Sequence, residues 1–223
     1  MSGGSRVMVF IDGHYFVNRI KTIIDEGIKH PELDKTIRYN EVRGEINYKK
    51  FVTHLNTHSA FDRAKIVRCY FYDGLPDPDQ NLSYLEDSEQ IERIVELKNQ
   101  HQKKKEQLDD IAELDYFEVR KGKAVYNRSS NKDGKPEWTF RQKGVDSLIA
   151  IDMLTKAYQG HYDIGVLVAG DSDFIEIVKS VKNSGVNVMG AYFEKNMPKE
   201  LEREFDKKFV MRMGELIGNN IVK

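Results

Sequence analysis

Apolar residues in this chain gather into five short runs, separated by longer stretches in which they recur at helical intervals. The runs Val7–Ile11, Lys65–Tyr72, Asp115–Arg120, Gly165–Ala169 and Asn187–Tyr192 predict buried strands, and four of the five are rich in β-branched or aromatic residues. Between them, Ser88–Leu114 spaces Ile91, Ile94, Val95, Leu108 and Ile111 as a helix would, around a very polar middle. Asp146–Tyr158 is apolar almost all round, which predicts a well-buried helix. Phe174–Asn183 carries Phe174, Ile177, Val178 and Val181, with Gly185 placed to end it. Strands alternating with helices predict an α/β fold, an open and mostly parallel sheet covered on both faces.

Two segments break the alternation. Gly27–Asn47 is polar and aperiodic and reads as a loop excursion. Gly122–Gln142 sets Tyr126, Trp138 and Phe140 around Asp133-Gly134, a good hairpin-turn dipeptide. No repeat or linker is visible, so 1–223 reads as one domain with insertions near 27–47 and 120–143. An apolar fraction of 39% supports a sizeable core, and a net charge of −1 means that any nucleic-acid partner must be met by a local patch. The lone Cys69 excludes an internal disulfide and reads as a small buried hydrophobe. No run resembles a signal peptide or approaches the roughly 20 apolar residues of a membrane helix, so a soluble cytoplasmic protein without membrane association is expected.

The chemistry lies where predicted strands end and helices begin. Asp12 closes the first strand, Asp171 and Asp173 follow Val166–Gly170, and Asp146 opens the helix after Lys143-Gly144-Val145. The carboxyl ends of parallel strands share one edge, and ligands bind in the crevice outside it. Singly, each aspartate reads best as a helix cap; converging on one edge, they read as a shared site. Two like charges 4 Å apart repel by about 4 kcal/mol at an effective dielectric near 20. Such a cluster calls for a proton or a hard cation, and oxygen-only ligands suit Mg²⁺ or Mn²⁺. Asp152, six residues beyond Asp146, falls off that helix face.

Phe10-Ile11-Asp12-Gly13, Lys143-Gly144-Val145-Asp146 and Val168-Ala169-Gly170-Asp171-Ser172-Asp173-Phe174 together resemble the NYN domain, in the LabA-like branch of the PIN-like nucleases. The likeness spans approximately Arg6 to Met211. It implies a Rossmann-like PIN/NYN fold and metal-dependent cleavage of RNA, with Asp12, Asp146, Asp171 and Asp173 as the catalytic and Mg²⁺- or Mn²⁺-binding acids. Where many relatives place Asn three residues after the first aspartate, this chain has Tyr15, with His14 before it and Asn18 one helical turn on.

Cations crowd the predicted hairpin: Arg120, Lys121, Lys123, Arg128, Arg141 and Lys143, interleaved with Tyr126 and Trp138. This is the composition of a single-strand binding surface, in which cations meet phosphates and rings stack on bases. It also suits an ordinary hairpin whose rings pack inward. Lys103-Lys104-Lys105 reads as a solvated helix face. The expected partner is RNA, single-stranded or tRNA-like, with a homo-oligomer left open. A non-catalytic RNA- or DNA-binding module using the same groove is the alternative.

Overall fold

The computed structural model describes residues 4–30, 36–57, 64–85, 87–130, 136–194 and 197–223. Strand β1 (Ser5–Asp12) divides the core in two by simple alternation. Val7, Val9 and Ile11 point to one face of the sheet and Met8 and Phe10 to the other, all at most 8% exposed. The first face is covered by α1 (Gly13–Lys29), α2 (Tyr48–Thr57), α3 (Asp87–Ala112) and α7 (Met213–Gly218), through Phe16, Phe51, Leu108 and Leu216 among others. The second is covered by α4 (Val145–Tyr158), α5 (Ile175–Asn183) and α6 (Lys199–Glu204), through Ile149, Met153, Val178 and Leu201. Each such large side chain contributes about 1.5–3 kcal/mol on burial, and that is what holds helices to both faces.

The sheet has seven strands in the order β4-β3-β2-β1-β5-β6-β7. These are β2 (Ala64–Pro76), β3 (Phe117–Ser130), β4 (Pro136–Lys143), β5 (Ile164–Val168), β6 (Asn187–Phe193) and β7 (Lys207–Met211) beside β1. Every neighbouring pair is parallel except β3 with β4. All five expected strands are present. The third runs well past Arg120, so the basic hairpin is the edge of the main sheet rather than an appendage. Its expected turn, Asp133-Gly134, lies outside the described residues.

The segment expected as a loop over 27–47 starts later, because α1 continues to Lys29 on the strength of Phe16, Ile20 and Ile24 spaced four apart. A 3₁₀ turn follows at Tyr39–Glu41. Gly185 has φ +88 just after α5, which fits its expected role in ending that helix. Cys69 is buried and free. No helix among the described residues is long and apolar enough to cross a membrane.

Candidate active site

The strand order reverses between β1 and β5: from β1 the chain moves outward to β2, β3 and β4, then returns to β5 on the other side. A crevice opens at such a switch point, outside the carboxyl ends of the strands. Ile11 lies opposite Val168 in register, so Asp12 ends β1 where the chain leaves β5 towards Asp171. Asp12 shares the parity of Met8 and Phe10 and therefore faces α4, whose first turn carries Asp146.

Local geometry fixes these acids. Asp12 caps α1, accepting the Tyr15 amide at 3.0 Å through Oδ1. Asp171 caps the 3₁₀ turn Ser172–Phe174, accepting the Asp173 amide at 3.0 Å. Each cap engages one carboxylate oxygen, and a carboxylate has acceptor sites to spare. Capping thus falls to Asp12 and Asp171, whereas Asp146 and Asp173 lie within first turns. Ahead of Asp146, Gly144 has φ +79 and makes no side-chain cap, a left-handed conformation that favours glycine in the Lys-Gly-Val-Asp sequence.

Electrostatics shows the acids to be mutually repulsive. Burial, opposed by the Tyr15 amide and reinforced by the charges of Asp146 and Asp73, raises the Asp12 carboxyl from 3.8 to about 6. Asp146 is also raised, first by burial and then by Asp171 and Asp173, with His14 acting the other way. None of the four pairs with a cation within 4 Å among the described residues. The donor chemistry fits a hard divalent ion, being all carboxylate and short of positive charge. Among the described residues, however, no three histidine, cysteine or acidic side chains are drawn together as a group able to hold a metal.

Tyr15, at the departing position, is a packing residue. Its ring lies over Gly170, where an added Cβ would sit 2.3 Å from Cε2, and its hydroxyl accepts the Phe193 amide at 3.3 Å. It thereby ties the start of α1 to the ends of β5 and β6. Asn18 instead turns back to His14, Nδ2 to Nε2, at 2.9 Å.

The hairpin residues separate into two groups. Arg120 pairs with Glu118 and Asp152, Lys121 with Asp109 at 2.7 Å, and Lys123 with Asp77 at 3.8 Å. Arg128, Arg141 and Lys143 are exposed and have no carboxylate partner among the described residues. Of the two readings of the hairpin rings, inward packing is the one seen for Tyr126. Tyr126 is 2% exposed, packed with Leu82, Leu85 and Leu97 and donating its hydroxyl to Glu96, so it offers no face to a base. Trp138 is half-buried and stacked on Tyr126 with centroids 4.7 Å apart. Their apolar rings close a satellite core under α3, which outweighs exposing them to solvent.

Asp152 is held by the Tyr72 hydroxyl at 2.9 Å and by Lys156 at 2.6 Å. Asp73 was not anticipated as a site residue. It extends β2 past Tyr72, is 2% exposed, and is bound by Lys104, Gln142 and the Gly74 amide. Its signal was visible, since Asp73-Gly74 closes an apolar run just as Asp12-Gly13 does. Lys104 is accordingly no part of a solvated face: it reaches inward from α3 to this buried acid.

Comparison with known proteins agrees with this architecture. A crystal structure of VPA0982, a protein of unknown function from Vibrio parahaemolyticus, superposes with a TM-score of 0.53 at 13% identity, covering 100% of this chain and 99% of the other. That likeness concerns the fold alone. No curated protein sequence matches at a significant level. The family model for the NYN domain matches residues 6–212, almost the whole length. The chain therefore belongs to the NYN-domain family, within the PIN-like nuclease superfamily.

Proposed function

We propose that this protein is a metal-dependent ribonuclease, probing RNA at the switch point between β1 and β5. What supports the reading is the set of four carboxylates, Asp12, Asp146, Asp171 and Asp173, carried by three separate segments at the carboxyl edge of the sheet, none with a cationic partner within 4 Å among the described residues. Structural carboxylates in the same molecule are compensated, Asp73 by Lys104 and Asp152 by Lys156. Uncompensated acids in a crevice mark a functional site.

Mg²⁺ or Mn²⁺ would be held by these four residues and would supply an activated water and charge neutralisation at the phosphate. The chain's own part is to orient the acids. Asp12 and Asp171 are fixed by the amides they cap, and Asp146 and Asp173 by the first turns that carry them. The exposed Lys143, Arg141 and Arg128 supply positive charge along β3 and β4 for the phosphates that flank the cut. Lys143 stands three residues before Asp146, so strand and site are continuous.

A recognition module that holds RNA or DNA without cutting it is the second reading. It is favoured by the absence, among the described residues, of a ready-made metal group. End-labelled single-stranded RNA incubated with Mn²⁺, with EDTA, and with the Asp12→Asn/Asp171→Asn variant tests both. Metal-dependent cleavage that falls at least about a hundredfold in the variant is the expected outcome. Binding without product in either metal selects the recognition module, and cleavage that persists in excess EDTA refutes the metal-dependent reading.

A further inference from the structure

A cleft of about 770 Å³ opens on the opposite face of the same sheet edge, between α1, residues 43–49 and α3. That volume is in the range of sites that hold small organic groups. Its lining mixes apolar, polar and charged side chains. Ile46 and Leu114, both half-buried, give it apolar surface over the buried Phe71, Leu108 and Ile111. Asp73 and Lys104, bound to each other, also line it. So does Tyr48, whose ring edge rests on Phe71 with centroids 5.2 Å apart and whose hydroxyl has no hydrogen-bond partner among the described residues. Lys21, Arg43 and Lys49 line it too, none with a carboxylate within 4 Å among the described residues, alongside the acids Glu45 and Asp110. Gly13 and His14 also line it and directly follow Asp12, so the cleft adjoins the acid cluster.

A nucleotide presents the complementary sequence of chemistries: a flat apolar ring, a polar edge and an anionic phosphate. We propose that the cleft holds one unstacked nucleotide of the RNA strand next to the acid cluster. Its ring lies against the half-buried Ile46, Tyr48 and Leu114, its edge meets the Tyr48 hydroxyl and the Lys104–Asp73 pair, and its flanking phosphates meet Lys21, Arg43 and Lys49. Base readout of this kind is how single-stranded RNA is told apart by sequence. The assignment rests on the nucleic-acid reading of the acid cluster and adds to it a source of base preference.

The test is binding, scored separately from cleavage. The full chain carrying Asp12→Asn is titrated in EDTA with labelled hexaribonucleotides of adenine, cytosine or uracil, at several salt concentrations. The three are expected to differ in affinity by about fivefold or more. Lys21→Glu/Lys49→Glu, both at exposed positions, should weaken all three by at least about tenfold and lower the salt slope by about 1.5, at roughly 0.7 per phosphate contact on a single strand. Tyr48→Phe keeps the ring and its packing, and should narrow the base preference while leaving the salt slope unchanged. Equal affinity for the three hexamers, or binding indifferent to both variants, overturns the proposal. A free mononucleotide binding as tightly as the hexamer overturns the placement of an RNA strand there. Cleavage by the chain with Asp12 intact is read independently. Cutting with cleft-indifferent binding leaves the nuclease standing without the cleft, and cleft-dependent binding without cutting keeps the cleft and removes the nuclease.

Discussion

Asp12→Asn should stabilise the metal-free protein at neutral pH. Asparagine is as good a helix cap as aspartate, so the bond from the Tyr15 amide is kept. What is lost is a half-buried negative charge facing Asp146. Its folded-state pKa stands at about 6 against an ordinary 3.8, raised by burial before anything else. The folded protein therefore binds the Asp12 proton more tightly than the unfolded chain does. The stability that this proton brings is fully present below pH 3.8 and is lost as pH rises through about 6. At pH 7.5 the linkage amounts to about 3 kcal/mol against folding, at pH 5 to about half that, and at pH 4 to about half a kcal/mol. For a chain of this length 3 kcal/mol corresponds to about 5–10 °C in Tm.

Thermal unfolding followed by circular dichroism in EDTA, at pH 7.5, 5 and 4, measures this directly. The variant should melt above the wild type at pH 7.5, and the gap should close as pH falls. Mn²⁺ should then raise the wild type, by about 2.7 kcal/mol when present at a hundred times its dissociation constant, and raise the variant far less. A variant no more stable than wild type at pH 7.5, or an advantage independent of pH, would refute the reasoning that Asp12 is an uncompensated charge.

Two further substitutions probe the frame around the site. Gly170→Ala places a Cβ against the trapped Tyr15 ring and should cost about 1–3 kcal/mol in a denaturant titration. Combined with Tyr15→Leu it should show a coupling above about 1 kcal/mol, and strict additivity would refute the contact. Lys104→Met strands the buried Asp73 and should cost about 3–5 kcal/mol by chemical denaturation. Adding Asp73→Asn to it should recover part of the loss, and a Lys104→Met protein of wild-type stability would show that the ion pair is dispensable.

Legibility from sequence followed the strength of the local signal. The runs in β1, β5 and β6 were legible because each is buried on both faces, which leaves an unbroken run of apolar residues to read. β7 was not anticipated: Lys207–Met211 begins with two lysines and has only Phe209 and Met211 buried. α2 was missed because its core contact rests on Phe51 and Leu55 within an otherwise polar stretch. The site aspartates were legible because each follows an apolar strand or opens a helix, but whether they meet depends on β1 lying beside β5, which is a property of strand order. The hairpin rings were ambiguous for the opposite reason. Composition says that Tyr126 and Trp138 are aromatic and near cations, and only α3 packing over them decides that they face inward.

Asp12 and Asp73 show why compensation, more than position, separates a working acid from a structural one. Both close an apolar run, both precede glycine, and β1 and β2 are neighbours with Asp12 opposite Tyr72. One residue of offset sends them to opposite faces. Asp73 enters the α3 side, where Lys104 and Gln142 close on it and satisfy it. Asp12 enters the α4 side, where what faces it is Asp146. A fold that needed only stability at that position would favour a neutral cap, since asparagine holds the same amide without the charge. Retaining an ionisable group there, at a cost of about 3 kcal/mol near neutrality, makes sense if a cation or a charged substrate group offsets it when present.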